Sequence, residues 1–299
     1  MQLNDKIKNL EPYEPERGNF PIRLDANESF LPLPEKMQQR LAKVLSSLPL
    51  RRYPDPLAEE VCCKFADFYG ISPSLVCAGN GSDELISVLC GSFTKKGDRV
   101  VVIEPDFSMY RFYTSLAECE VVSLQKGQDM RIDPDQVIQT VRENGAKMLL
   151  FSNPCNPTSL GLSREEVRRI LRGVGDTLVV LDEAYMDFWD QSLLGETDKF
   201  DHLVILRTCS KMLGLAGLRL GFAVAQKPLI RALRACKSPY NVGMLTQAAG
   251  AAVLSETAFL EEARRKILNA RDELYTGIKA LERPGLRLSI MRRAKRFTI

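Results

Sequence analysis

An α/β fold, built on a mainly parallel sheet flanked by helices, is predicted by three observations. From Ser82 onward short β-rich runs alternate with helix-length segments. Connections of that length suit crossovers between parallel strands. The chain has 299 residues, 45% hydrophobic and 26% charged, enough for a large packed domain with a smaller one beside it.

The elements follow in order. Residues 1–49 carry Pro12, Pro15, Pro21, Pro32 and Pro34 around one amphipathic helix near Glu35 to Ser46, which reads as an arm outside the sheet. A helix is predicted from about Asp83 to Gly91, then a strand from Arg99 to Glu104. A helix around Ser108 to Ala117 leads to a strand from Glu120 to Leu124. Asp133-Pro134 opens a helix that leads to the strand Lys147 to Ser152. Ser163-Arg164-Glu165-Glu166 is a capping box for the next helix, which feeds the strand Thr177 to Asp182. Strands Leu203 to Arg207 and Leu220 to Ala225 complete the series. Beyond Met244 two helices are predicted, Leu245 to Leu254 and Thr257 to Leu281, before Pro284-Gly285 stops the pattern.

Composition narrows the function classes. The net charge is +3, yet Arg287, Arg292, Arg293, Lys295 and Arg296 stand among the last 13 residues with no acid, so the rest of the chain has an acidic excess. A short unpatterned basic run without interleaved aromatics does not point to nucleic acid. The eight cysteines contain no CxxC pair, and no ligand cluster predicts a metal. The start MQLNDKIKNL has no apolar signal segment, and the apolar stretch Met212 to Ala225 is too short for a membrane span, so a cytoplasmic location is expected. There is a single histidine, His202, beside Asp201 in a loop-like position, so a base other than imidazole is expected to do any proton transfer.

Three motifs at the ends of elements carry chemistry. Gly79-Asn80-Gly81-Ser82-Asp83-Glu84 is a glycine-rich turn entering a helix, where free N–H groups suit a phosphate; a capped helix start is the plainer reading. Leu178-Val179-Val180-Leu181-Asp182-Glu183-Ala184-Tyr185 places an acid at the end of an apolar strand, where it needs a partner such as a protonated pyridine nitrogen; a helix cap is the alternative. The segment from Thr208 to Phe222 holds Lys211 and Arg219 among apolar and glycine residues. A lysine so placed has its charged form disfavoured and is a candidate nucleophile for a Schiff base, unless it snorkels to solvent.

These motifs, in this order, resemble the pyridoxal-phosphate aminotransferases of fold type I, and their details are similar to the histidinol-phosphate aminotransferase family. Leu10-Glu11-Pro12-Tyr13, Arg23-Leu24-Asp25-Ala26-Asn27-Glu28 and Arg52-Tyr53-Pro54-Asp55 resemble that family's N-terminal arm and the approach to its large domain. Pro154-Cys155-Asn156-Pro157-Thr158 matches its Asn-Pro-Thr loop, with Ser159 where a glycine is usual. The resemblance implies an arm and small-domain portion at 1–49, a large cofactor-binding domain at 50–244, and a truncated C-terminal small domain at 245–299.

It also implies roles. Lys211 would hold the cofactor's aldehyde and then move the α-proton, Asp182 would keep the ring nitrogen protonated, and Asn156 and Tyr185 would hydrogen-bond the ring's phenolic oxygen. Phe107 would stack on the ring, with Tyr110 in the same pocket. Ser82, Asp83, Ser210 and Arg219 would hold the phosphate, with Thr208 a weaker candidate. Tyr53 would reach the phosphate of a neighbouring subunit, implying a homodimer with shared sites, and Tyr13 and Asn27 would close over substrate with Asn156.

The implied reaction takes a small-molecule amino donor and a 2-oxo acid acceptor: histidinol phosphate with 2-oxoglutarate, by a ping-pong route. Two alternatives stay open, a threonine-phosphate decarboxylase with the same cofactor and a non-catalytic cofactor-binding remnant. The second arises because Leu288 to Ile299 departs from the family pattern where arginines for the substrate are expected.

Overall fold

In a computed structural model, which describes residues 3–8, 10–12, 14 and 18–281, seven strands form one sheet. They are β1 (Val76–Gly79), β2 (Arg99–Glu104), β3 (Glu120–Gln125), β4 (Met148–Ser152), β5 (Leu178–Asp182), β6 (Leu203–Thr208) and β7 (Gly221–Ala225). Their spatial order is β1-β7-β6-β5-β4-β2-β3, and only β7 runs against its neighbours.

Among the described residues ten α-helices accompany the sheet. On the N-terminal side lie α1 (Asp5–Lys8), α2 (Glu35–Ser46) and α3 (Glu59–Tyr69). Between strands come α4 (Gly81–Phe93), α5 (Met109–Leu116), α6 (Pro134–Glu143) and α7 (Arg164–Gly173). After β7 follow α8 (Lys227–Cys236), α9 (Met244–Leu254) and α10 (Thr257–Ala280).

The two-residue period of a strand sends alternate side chains to opposite faces, and both faces here are buried. Val101, Leu149, Val179, Ile205 and Val224 join one core with residues of α3, α6, α7 and α9. Val100, Leu150, Val180, Val204 and Ala223 join the other with residues of α4, α5 and α8. Helices on both faces explain why the inner strands carry near-continuous apolar runs, while the edge strand β3 keeps Glu120, Ser123 and Gln125.

Each predicted strand from Arg99 onward is present to within about a residue. The Ser163 capping box forms: the Ser163 side chain accepts from the Glu166 N–H, and the Glu166 side chain accepts from the Ser163 N–H. Among its described residues the arm contributes no strand, and its predicted helix spans Glu35–Ser46. Among the described residues four helices and strands add to the sequence expectation: α1, β1, α3 and α8. The basic run from Arg287 to Arg296 lies outside the described residues.

Candidate active site

Parallel strands bring their carboxyl ends to one edge of a sheet, and loops leaving that edge can converge. Here they enclose a cavity of about 530 Å³, a size suited to a small ligand or cofactor. β5 delivers Asp182 and then Tyr185. β6 is followed by Ser210 and Lys211, β2 by Phe107, and β4 by Asn156. The start of α4 brings Ser82 and Asp83, and the turn after Ala216–Leu218 brings Arg219. All of these line the one cavity.

Asp182 is 4% exposed. Its carboxylate accepts from the Tyr110 hydroxyl at 2.8 Å and from the Ala184 N–H at 3.0 Å. No lysine or arginine among the described residues pairs with it, and burial pushes its carboxyl up to about 7. Glu183, one residue on, points to the opposite face and pairs with Arg207 at 3.0 Å. The alternation of the strand therefore separates a structural ion pair from an acid that faces the cavity.

Lys211 donates to the Ala26 carbonyl at 2.7 Å, and its Nζ stands 5.6 Å from the centre of the Tyr185 ring. Burial lowers its affinity for a proton, while the acids Glu28, Asp83 and Asp182 oppose that effect. The phenol of Tyr185 accepts from the Asn27 side chain at 3.0 Å, and its own proton has no acceptor among the described residues. The side-chain amide of Asn156 likewise makes no bond within them. Two donors are thus free at the cavity wall.

The start of α4 is uncapped by Asn80; instead Glu84 folds back to accept from the Asn80 N–H at 2.6 Å. That leaves the first-turn amides of Ser82 and Asp83 at the cavity, with the positive end of the helix dipole behind them. β7 approaches this turn so closely that a Cβ on Gly221 would lie 2.4 Å from the Ser82 nitrogen. Arg219 adopts a left-handed conformation, φ 51°, and its guanidinium lies over Gly81, where a Cβ would meet it at 2.8 Å. It donates to Asp83 at 2.9 Å. Thr208 and Ser210 also line this end and are hydrogen-bonded to each other at 3.0 Å.

These features fit pyridoxal phosphate. A buried acid without a cation suits a protonated ring nitrogen, two free donors suit a ring oxygen, and an uncapped helix start beside an arginine suits a phosphate.

Of the residues singled out from sequence, Lys211, Asp182, Tyr185, Asn156, Phe107, Ser82, Asp83, Ser210, Arg219 and Asn27 all line the cavity. Tyr110 and Thr208 do too. Tyr53 does not: it is 78% exposed and stacks on Tyr240 with ring centres 4.6 Å apart. Tyr13 lies outside the described residues. His202 bonds to Asp201 and to the Leu171 carbonyl, away from the cavity. Asp25, Ala26, Glu28 and Ser152 are lining residues that the sequence did not single out. Ser152 pairs in register with Asp182, so the sheet register would have found it. The other three flank Asn27 in a motif already noted.

Comparison with known proteins identifies the family. Residues 21–294 match the family model described as aminotransferase class I and II. A histidinol-phosphate aminotransferase of Clostridium novyi is 36% identical over 276 residues, 92% of this chain and 77% of that protein. One of Thermococcus gammatolerans is 35% identical over 283 residues, 95% of this chain and 82% of that protein. Among solved structures, the histidinol-phosphate aminotransferase of Sinorhizobium meliloti in complex with pyridoxal-5'-phosphate superposes with a TM-score of 0.78 at 23% identity, covering 84% of this chain and 68% of that one. The chain therefore belongs to the class I and II aminotransferase family, the pyridoxal-phosphate-dependent transaminases of fold type I.

Proposed function

We propose that this transaminase exchanges an amino group between histidinol phosphate and 2-oxoglutarate, as a step of histidine biosynthesis, working in the cytoplasm as a homodimer. One observation carries the reading: Lys211, an amine whose charge is disfavoured by burial, and Asp182, a buried acid without a cation, open on the same cavity. The name shared by relatives at 33–36% identity, histidinol-phosphate aminotransferase, supports histidinol phosphate as the amino donor.

When bound, pyridoxal phosphate supplies an electron sink for the pair left on the substrate's Cα after its proton departs. The chain's residues supply the rest. Lys211 would hold the cofactor and would be the base that takes the proton from the substrate's Cα and gives one back on the cofactor's side, the task for which no histidine is at hand. Asp182 holds the proton of the ring nitrogen. Asn156 and Tyr185 donate to the ring oxygen, and Phe107 packs on the ring face.

Ser82, Asp83, Ser210 and Arg219 bind the phosphate, with Tyr53 of a second subunit completing that end. Asn27, Asn156 and Tyr13 contact substrate. The same reading divides the chain into an arm at 1–49, a cofactor-binding domain at 50–244 and a C-terminal portion of the smaller domain at 245–299.

The test is spectroscopic. The purified chain should take up pyridoxal phosphate with a visible absorbance that glutamate or histidinol phosphate converts, and borohydride should fix the cofactor to residue 211. A Lys211→Ala chain that still yields the same fixed adduct overturns the assignment of the amine. Release of carbon dioxide from O-phosphothreonine without amine transfer would favour the decarboxylase reading. Absorbance unmoved by any amino donor would favour a cofactor-binding remnant.

A further inference from the structure

A second buried lysine stands behind the cavity wall. Lys126 follows the end of β3, the edge strand, and its side chain is fully buried. A buried ammonium is tolerated only where its protons are matched, and an ammonium has three. The Lys126 Nζ lies 2.7 Å from the Pro105 carbonyl, 2.8 Å from the Cys155 Sγ and 4.0 Å from an Asp106 carboxylate oxygen. Those three acceptors come from two loops, one leaving β2 and one leaving β4. Each loop delivers a cofactor residue immediately afterwards: Phe107 follows Pro105-Asp106, and Asn156 follows Cys155.

The Asp106 carboxylate carries the tie further. It accepts from the Phe107 N–H at 2.8 Å, from the Ser152 N–H at 3.0 Å and from the Ser152 hydroxyl. The Ser152 hydroxyl in turn accepts from the Asn156 N–H at 3.4 Å. Asp106 is itself buried, and burial raises its carboxyl above the usual range, opposed by the Lys126 charge. Without that charge the acid would stand unpaired behind the ring site.

We propose that Lys126 is a positioning residue of the cofactor site: its ammonium locks the β2 loop to the β4 loop and so sets the placement of Phe107 against Asn156. The inference rests on the pyridoxal-phosphate reading of the cavity and adds to it a residue outside the cavity lining. Two rigidly spaced walls present the stacking ring and the amide donor at once, which lessens the ordering that binding must otherwise impose.

The experiment compares wild type, Lys126→Met, and the double variant Lys126→Met with Asp106→Asn. Methionine keeps the length of the stem, and the double variant removes the stranded acid, so a merely structural ion pair is repaired by it. Two readouts are taken: the dissociation constant of pyridoxal phosphate, and hydrogen exchange of the Asp106, Phe107, Cys155, Asn156 and Thr158 amides in cofactor-free protein.

In the double variant, stability should return toward wild type while cofactor affinity stays weaker by about tenfold or more and both loops exchange faster. A double variant that binds cofactor as wild type does, with unchanged exchange, overturns the proposal. Wild-type protein that takes up no cofactor would overturn the functional reading instead. The exchange measurement, made without cofactor, still decides whether Lys126 holds the loops together.

Discussion

At the scale of single residues, Asp182 is the group whose burial has a measurable price in the absence of cofactor. An unfolded aspartate releases its proton near 3.8, whereas the folded carboxyl holds it up to about 7. Between those values the folded state carries the extra proton, so stability is greatest at the acid end and falls as pH rises through the window, levelling off above it. The loss is on the order of 4 kcal/mol for a shift of this size. Cofactor-free wild type should therefore melt progressively lower from pH 4 to pH 7 relative to Asp182→Asn, which has nothing to ionise. Parallel melting curves for the two proteins would contradict this account.

Ser159 makes a second test. It occupies φ 52°, a left-handed conformation in the place where the resemblance expects glycine. Ser159→Gly should raise stability by about 1 kcal/mol in denaturant titration, because a Cβ in that region is strained. At this scale the sequence was informative wherever a residue type was unusual for its surroundings. A lysine among apolar residues and an acid closing an apolar strand marked Lys211 and Asp182. Lys126 was not legible, because the acceptors that match it come from other strands.

At the scale of elements, the phosphate end depends on how closely β7 can approach the first turn of α4. Gly221 permits a contact that any side chain would break, since the atoms opposite it are backbone: the Ser82 nitrogen at 2.4 Å and the Gly81 carbonyl carbon at 2.6 Å. Gly221→Ala should lower stability by about 1–3 kcal/mol and weaken pyridoxal phosphate binding, because neither backbone can yield without shifting the Ser82 and Asp83 amides. Gly243→Ala, where nothing lies within 4 Å of the added Cβ, is the control and should leave pyridoxal phosphate binding unchanged.

Helix-length crossovers and proline-marked helix starts made most elements readable, and the Ser163 capping box did so in full. β1 was not readable, since its four residues become a strand only by pairing with β7, far along the chain. The reversal of β7 follows from its connection. The segment from β6 carries only a short 3-10 turn and no α-helix, whereas the crossover that returns a chain for parallel pairing is usually an α-helix. That same segment holds Lys211 and Arg219, so the reversed strand is what brings both to one cavity.

At the scale of the whole molecule, several large apolar side chains of the arm and the segment after it stand exposed. Phe20, Ile22, Leu24 and Phe30 of the arm are 48%, 74%, 75% and 60% exposed, and Leu50 and Tyr53 beyond it are 66% and 78% exposed. Large exposed apolar side chains suit a protein interface, and the proposed homodimer would cover them. If Tyr53 serves the phosphate end of its partner's site, damage at Tyr53 and damage at Lys211 belong to different sites in a mixed dimer. Joining a Lys211→Ala chain to a Tyr53→Ala chain gives one site lacking both residues and one site retaining both. The mixed dimer, purified through two different tags, should therefore regain cofactor affinity and transamination in one of its two sites, at levels that neither parent dimer reaches. Mixed dimers with only the average of the parental activities would show that each site is built from one chain. A monomer in sedimentation analysis would remove the basis for sharing, and Tyr53 would then have no path to the phosphate, because within its own chain it stacks on Tyr240 outside the cavity.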